Sequence, residues 1–171
     1  TTTFLATLGA ALALAAPAAA GDSLKAVDNA EAVNGGFQAL RDYNLIVLKD
    51  LKSSSSVDGR TLVGGDLTGG SSNYFVNPGA LKGGDALVVG GDVSGSAKNI
   101  NNGGSLKVGG NIESGANMNG GGSVYSGGDV RKVNANGAAI YADGDVSSSN
   151  AKEIYAGGSI SASNGVRRTG D

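Results

Sequence analysis

Residues 103–112 read GGSLKVGGNI: two glycine pairs enclose a short strand-like stretch, and a branched apolar residue follows the second pair. The same seven-residue phrase recurs along the chain. It appears as TLVGGDL at 61–67, LVVGGDV at 87–93, LKVGGNI at 106–112, VYSGGDV at 124–130, IYADGDV at 140–146 and IYAGGSI at 154–160. Its first position is held by Thr61, Leu87, Leu106, Val124, Ile140 and Ile154, and its third by Val63, Val89, Val108, Ser126, Ala142 and Ala156. The seventh is Leu67, Val93, Ile112, Val130, Val146 or Ile160. Alternation in a strand points the first and third positions the same way.

The copies begin 26, 19, 18, 16 and 14 residues apart. A unit this short cannot bury its own apolar face and must stack on its neighbours. The expected architecture is all-β: a single β-solenoid of about six to seven short coils with an N-terminal helical cap. At ~4.8 Å per coil, six coils make a rod about 30 Å long. On this reading the glycines turn corners at positive φ, and the isolated apolar residues fill a thin shared interior. Replacement of Val by Ala at the third position predicts a taper toward the C-terminal coils.

Composition agrees with a narrow core. The chain has 171 residues, 31 of them glycine, with 3 Phe, 5 Tyr and no Trp, which excludes a core built on large aromatics. Glycine lacks a three-residue period, so collagen is excluded, and the regular Val, Ile and Leu placement argues against disorder. Thirteen basic and 15 acidic residues give a net charge of −2 with no single-sign run, which removes the electrostatic case for nucleic acid. Without Cys or His there are no disulfides, no zinc sites of the usual kind and no Ser-His or Cys-His nucleophile.

Three regions follow: an apolar segment at 1–20, a helical cap at 21–42 and the solenoid at 43–171. The apolar run from Phe4 to Ala16, then Pro17 and three alanines, has the length and small-residue ending of a secretory signal peptide. The alternative is a retained assembly arm whose Phe4, Leu5, Leu8, Leu12 and Leu14 pack on a neighbouring subunit. Either version places the protein outside the cytoplasm, and neither is a membrane span. In the cap, Leu24, Val27, Ala30 and Val33 have amphipathic helix spacing behind Ser23 as N-cap, with a break at Gly35-Gly36 and a further turn through Phe37 and Leu40. Tyr43–Leu51 reads as a strand buried on both faces.

Two features are candidates for function. The outward second position carries Tyr125, Tyr141 and Tyr155 in the last three copies, a predicted ladder that either stabilises neighbouring strands or forms a binding or assembly stripe. The corner acids Asp66, Asp92, Asp129 and Asp145 lack the nine-residue spacing of calcium-binding solenoids, and Asn111 and Ser159 take the same slot. Corner stabilisation through backbone amides explains that mixture, with metal binding left open for the Asp143 and Asp145 pair alone. No catalytic, cofactor or metal residues are assigned, and the acids are spread one per corner, so an enzyme is not expected.

The stretch YNLIVLKDLKSSSSVDGRTLVGGDLTGGSSNYFVN, Tyr43 to Asn77, resembles the start of the choice-of-anchor A domain family, ice-binding-like adhesive domains of bacterial surface proteins. The apolar strand, the serine linker, VDGRTLVGGDL and the pair Tyr74-Phe75 carry the resemblance. It implies a secreted or surface location and an adhesive role, and supplies no catalytic residues. Regular Thr rows of the kind expected on an ice-binding face are missing, since only Thr169 follows Thr68. The ending SASNGVRRTGD shows no sorting motif, which leaves a shortened chain or attachment by self-assembly. The expected function is therefore a secreted structural protein that self-assembles into an extracellular fibre or matrix with an adhesive role. The alternative is a monomeric adhesin or glycan-binding module using one solenoid face. The expected partners are copies of itself or a glycan or matrix ligand.

Overall fold

The structure is a computed structural model that describes residues 34–81, 83–161 and 164–169. The apolar segment at 1–20, with Phe4, Leu5, Leu8, Leu12 and Leu14, and the cap up to residue 33 lie outside the described residues. Residues 34–42 are helical and include Gly35 and Gly36, where the sequence pattern puts a break.

The chain then winds into a parallel β-solenoid of about seven coils with three faces. On the first face the strands Leu45–Val47, Thr61–Val63, Asp85–Val89, Ser105–Val108 and Val124–Ser126 pair in order. The stack continues through the C-terminal parts of Asn134–Ala142, Asn150–Ala156 and Asn164–Thr169. A second face joins Leu51–Lys52 to Leu67–Thr68 and runs by single bridges through Val93 and Ile112 to Val130–Arg131, Val146–Ser147 and Ile160–Ser161. The third face stacks Ser72–Tyr74, Lys98–Ile100 and Ala116–Met118 on the N-terminal ends of the later long strands. Those long strands turn the corner between faces, with a register shift between Ala135 and Ala139.

The expected columns are present. Leu87, Leu106, Val124, Ile140 and Ile154 lie in register and are fully buried. Val63, Val89, Val108, Ser126, Ala142 and Ala156 form a second buried column, and Leu67, Val93, Ile112, Val130 and Val146 a third. A fourth comes from the third face, where Tyr74, Ile100 and Met118 are followed by Ala135 and Ala151. Its falling side-chain size accompanies the falling coil length and gives the taper. Tyr74 and the adjacent Phe75 are both fully buried, so the widest coil is plugged by aromatics although the rest of the core is aliphatic.

Three expectations need correction. First, the run after Tyr43 is not buried on both faces: Leu45, Ile46 and Val47 are half-buried and Leu48 is exposed. Among the described residues its coil has a neighbour on one side only. Second, that run is itself a copy of the repeat. Leu45, Val47 and Leu51 stand in the same columns as Thr61, Val63 and Leu67, with Leu48-Lys49 in place of the glycine pair.

Third, the glycine pair inside the seven-residue phrase does not have positive φ; such values occur at other corner glycines, among them Gly69 at 106°, Gly95 at 85° and Gly103 at 74°. What the pair supplies is room. A Cβ on Gly65 would lie 2.1 Å from Asp50 Oδ1, on Gly91 2.0 Å from Asp66 Oδ1, and on Gly110 2.1 Å from Asp92 Oδ1. The corner carboxylate of one coil therefore occupies the space that a side chain on the next would need. In the copy at Leu45–Leu51, Lys49 holds the position that Gly65 holds in the next coil.

Gly110→Ala is accordingly expected to cost about 2–3 kcal/mol in urea denaturation, because the Asp92 carboxylate must swing away and release the Asn111 N–H. Gly137→Ala meets nothing within 4 Å and pays only for its φ of 86°, an expected loss of about 1–2 kcal/mol. Equal losses at the two sites would remove the spatial account of the pair.

Candidate functional site

The outward second position of the first face is continuous. Ile46, Leu62, Val88, Lys107, Tyr125, Tyr141 and Tyr155 follow one another in register, and the backbone of Arg168 comes next. Leu62 and Val88 are covered, whereas the tyrosines are half-buried or exposed. Parallel pairing puts equivalent Cβ atoms one coil apart, within the range of centroid separations at which offset aromatic rings stack. Tyr125 and Tyr141 stack at 5.1 Å between centroids and Tyr141 and Tyr155 at 4.9 Å, each pair 6° from parallel.

The predicted ladder is therefore formed, and its geometry decides what it can offer. Each inner ring face is covered by another ring, and Lys107 Nζ lies 5.8 Å from the Tyr125 centroid while pairing with Asp85 at 2.7 Å. The Tyr155 hydroxyl donates to Glu153 Oε2 at 2.7 Å. What faces solvent is a row of ring edges and hydroxyls. A sugar that stacks on an aromatic needs an open ring face, and the column does not turn one outward along its length.

The corner acids form a second ladder. Asp50 Oδ1 accepts the Asp66 N–H at 2.8 Å, Asp66 Oδ1 that of Asp92 at 2.8 Å, and Asp92 Oδ1 that of Asn111 at 2.6 Å. Asn111, Asp129 and Asp145 continue it through their Oδ1 atoms to Asp129, Asp145 and Ser159 at 2.8, 2.9 and 2.7 Å. Asn111 can stand in for aspartate because its Oδ1 supplies the oxygen acceptor that the bond requires. Among the described residues no three acidic, His or Cys side chains gather into a metal-holding group.

Sequence reasoning missed the third face. There Asn73, Asn99 and Asn117 stand in register, followed by Asn134, Asn150 and Asn164. Asn117 Nδ2 donates to Asn99 Oδ1 at 2.9 Å, and Asn119 Nδ2 to Asn101 Oδ1 at 3.1 Å. Lys98 was also missed. It is fully buried between Ser72 and Ala116, and its ammonium donates to the carbonyls of Gly70 at 2.9 Å and Gly69 at 3.3 Å. Burial alone pushes its pKa below the ordinary lysine value.

Residues 36–171 match the family described as "Putative Ice-binding-like adhesive domain". The chain belongs to this family. Membership in an ice-binding-like adhesive domain family supports an adhesive role and, with it, a place at the cell surface or outside the cell. The resemblance carried by Tyr43–Asn77 thus extends through all the described coils. Neither the curated proteins nor the solved structures give a significant match to the chain. Among the described residues no helix is long and apolar enough to cross a membrane.

Two outcomes are expected for this adhesive domain. Tyr141 has a ring on each side and Tyr125 on one, so Tyr141→Ser should cost about 1–2 kcal/mol and Tyr125→Ser about half as much. Urea denaturation reads both, and an equal loss would mean that ring stacking contributes little. For Lys98, the folded amine releases its proton below the unfolded value of ~10.4. As pH rises toward that value the unfolded chain holds more protons than the folded one, so stability increases. The stability of the wild type relative to Lys98→Met should therefore improve as the pH approaches ~10.4; a difference that stays flat or falls all the way to that pH would contradict the burial effect.

Proposed function

We propose that the domain is an extracellular adhesive module that presents a ligand-binding surface along the side of a rigid rod and works by binding, not by catalysis. The observation that carries this reading is the in-register stack itself, in which every outward position becomes a row of fixed side chains one coil apart. Membership in the adhesive family supports it. So does the use of the corner acids: cleavage of a polysaccharide by paired carboxylates needs them facing each other across a substrate, and here their Oδ1 atoms bind backbone amides coil by coil. Secretion fits the same role.

A second reading, self-assembly into a fibre or matrix, draws on one specific observation. Phe37, Leu40 and Leu48 are 60%, 65% and 56% exposed, and all three belong to the helix or the first described coil. A neighbouring copy packed on that end would cover them, and a head-to-tail contact of this kind propagates.

One preparation tests both. Beads coated with the full chain are expected to be retained under flow on surfaces carrying polysaccharide or matrix protein, well above beads coated with the heat-unfolded chain. Retention equal to that control would remove the adhesive reading. Sedimentation of the same protein reads assembly: species larger than the monomer that dissociate on Phe37→Ser and Leu40→Ser are expected, and a monomer at all concentrations would remove the second reading.

A further inference from the structure

An open groove of about 440 Å3 lies along the corner that follows the third-face strands. Ser56, Asn73, Val76, Asn101, Asn102 and Asn119 line it, with Gly120 at its end. These residues come from four successive coils, so the groove runs along the rod for three coil spacings, about 14 Å. None of them carries a charge.

The amides of this groove are already oriented by bonds on their nitrogen side. Asn102 Nδ2 donates to the carbonyls of Phe75 at 2.8 Å and Val76 at 3.0 Å, and Asn101 Nδ2 to that of Tyr74 at 3.0 Å. Asn73 Nδ2 donates to Ser56 Oγ at 3.3 Å and Asn119 Nδ2 to Asn101 Oδ1 at 3.1 Å. With their nitrogens used in this way, the Oδ1 atoms of Asn73, Asn102 and Asn119 remain as acceptors that take no hydrogen bond among the described residues. They are held in place before any ligand arrives, which lowers the ordering cost of binding.

The backbone beneath is unusual. Phe75, although bulky and fully buried, has φ of 60°, and Asn102 above it has φ of 53°. Left-handed backbone at a residue like Phe is strained, and such strain gathers where a particular shape is required. Here it turns two successive carbonyls, Phe75 and Val76, toward one amide. Val76 itself remains 42% exposed, an apolar surface among the acceptors.

We infer that this groove binds a neutral, hydroxyl-rich ligand, a short stretch of glycan, through hydroxyl donors to the asparagine oxygens and C–H contacts on Val76. Fixed acceptors without a carboxylate select hydroxyl donors over metal cations, which favour charged oxygen ligands, and an exposed aliphatic side chain suits the apolar face of a sugar ring. This ligand class deepens the adhesive reading and rests on it for its biological sense.

The test uses the full chain, labelled with 15N, titrated with the trisaccharides maltotriose, cellotriose and mannotriose and, separately, with calcium chloride. The expected result is a saturable shift of the side-chain amide signals of Asn73, Asn102 and Asn119 with at least one sugar and none with calcium. Val76→Asp and Asn119→Ala, both at exposed positions, should weaken that binding about tenfold or more while the other amide signals stay in place. No saturable shift with any sugar, shifts confined to the Tyr125–Tyr155 column, or shifts with calcium alone would overturn the inference. The bead assay separates the two readings. Undiminished retention of both variants would reject the groove and keep adhesion, whereas sugar binding at the groove by a chain that shows no retention would keep the groove and reject adhesion.

Discussion

Parallel pairing holds each coil about 4.8 Å from the next, and most of the residue choices in this domain answer to that distance. Nothing the size of a side chain fits between two backbones at such spacing. A corner that also carries an Asp-to-amide bond must therefore have glycine beside the carboxylate, as Gly91 is beside Asp66 and Gly110 beside Asp92. The same distance lies within the range of centroid separations of offset-stacked aromatic rings, so tyrosines in one column stack, at 5.1 and 4.9 Å, without leaving the register of the strands. Acid, glycine and tyrosine rows are three consequences of one repeat distance.

The first face was readable because its signal is contiguous. Seven residues contain two inward positions, the glycine pair, the acid and the next inward residue, so the columns through Leu106, Val124, Ile140 and Ile154 could be set by alignment alone. The third face gave no such phrase. Its distance from the glycine pair varies with coil length, so Asn73, Asn99 and Asn117 fall into register only once the corners are known. Lys98 was hidden for a different reason: a lysine inside a slim core runs against ordinary expectation, and only the two carbonyls of Gly69 and Gly70 explain its place. The copy at Leu45–Leu51 escaped because alignment relied on the glycine pair, and here Leu48-Lys49 stands in its place.

The outer surfaces divide by chemistry. Along the first face an apolar, covered portion at Leu62 and Val88 passes through Lys107 into the stacked tyrosines. The stack covers its own inner ring faces and ties together the C-terminal coils, where two of the four core columns have shrunk to alanine and give less apolar burial per coil. The third face and its following corner are neutral and amide-rich. Stiffening and ligand contact thus belong to different sides of the rod, and a change on one can leave the other in place.

The decreasing girth of the coils also limits how such a chain can grow. A repeat protein of uniform cross-section lengthens by copying any unit and inserting it anywhere. Here a duplicate of the wide coil that holds Tyr74 and Phe75, inserted beside the narrow one that holds Ala151, would leave a step in the wall with an unfilled void on one side and a collision on the other. Genetic expansion is thereby restricted to neighbours of matching size, and the order of the units is as heritable a property as their number.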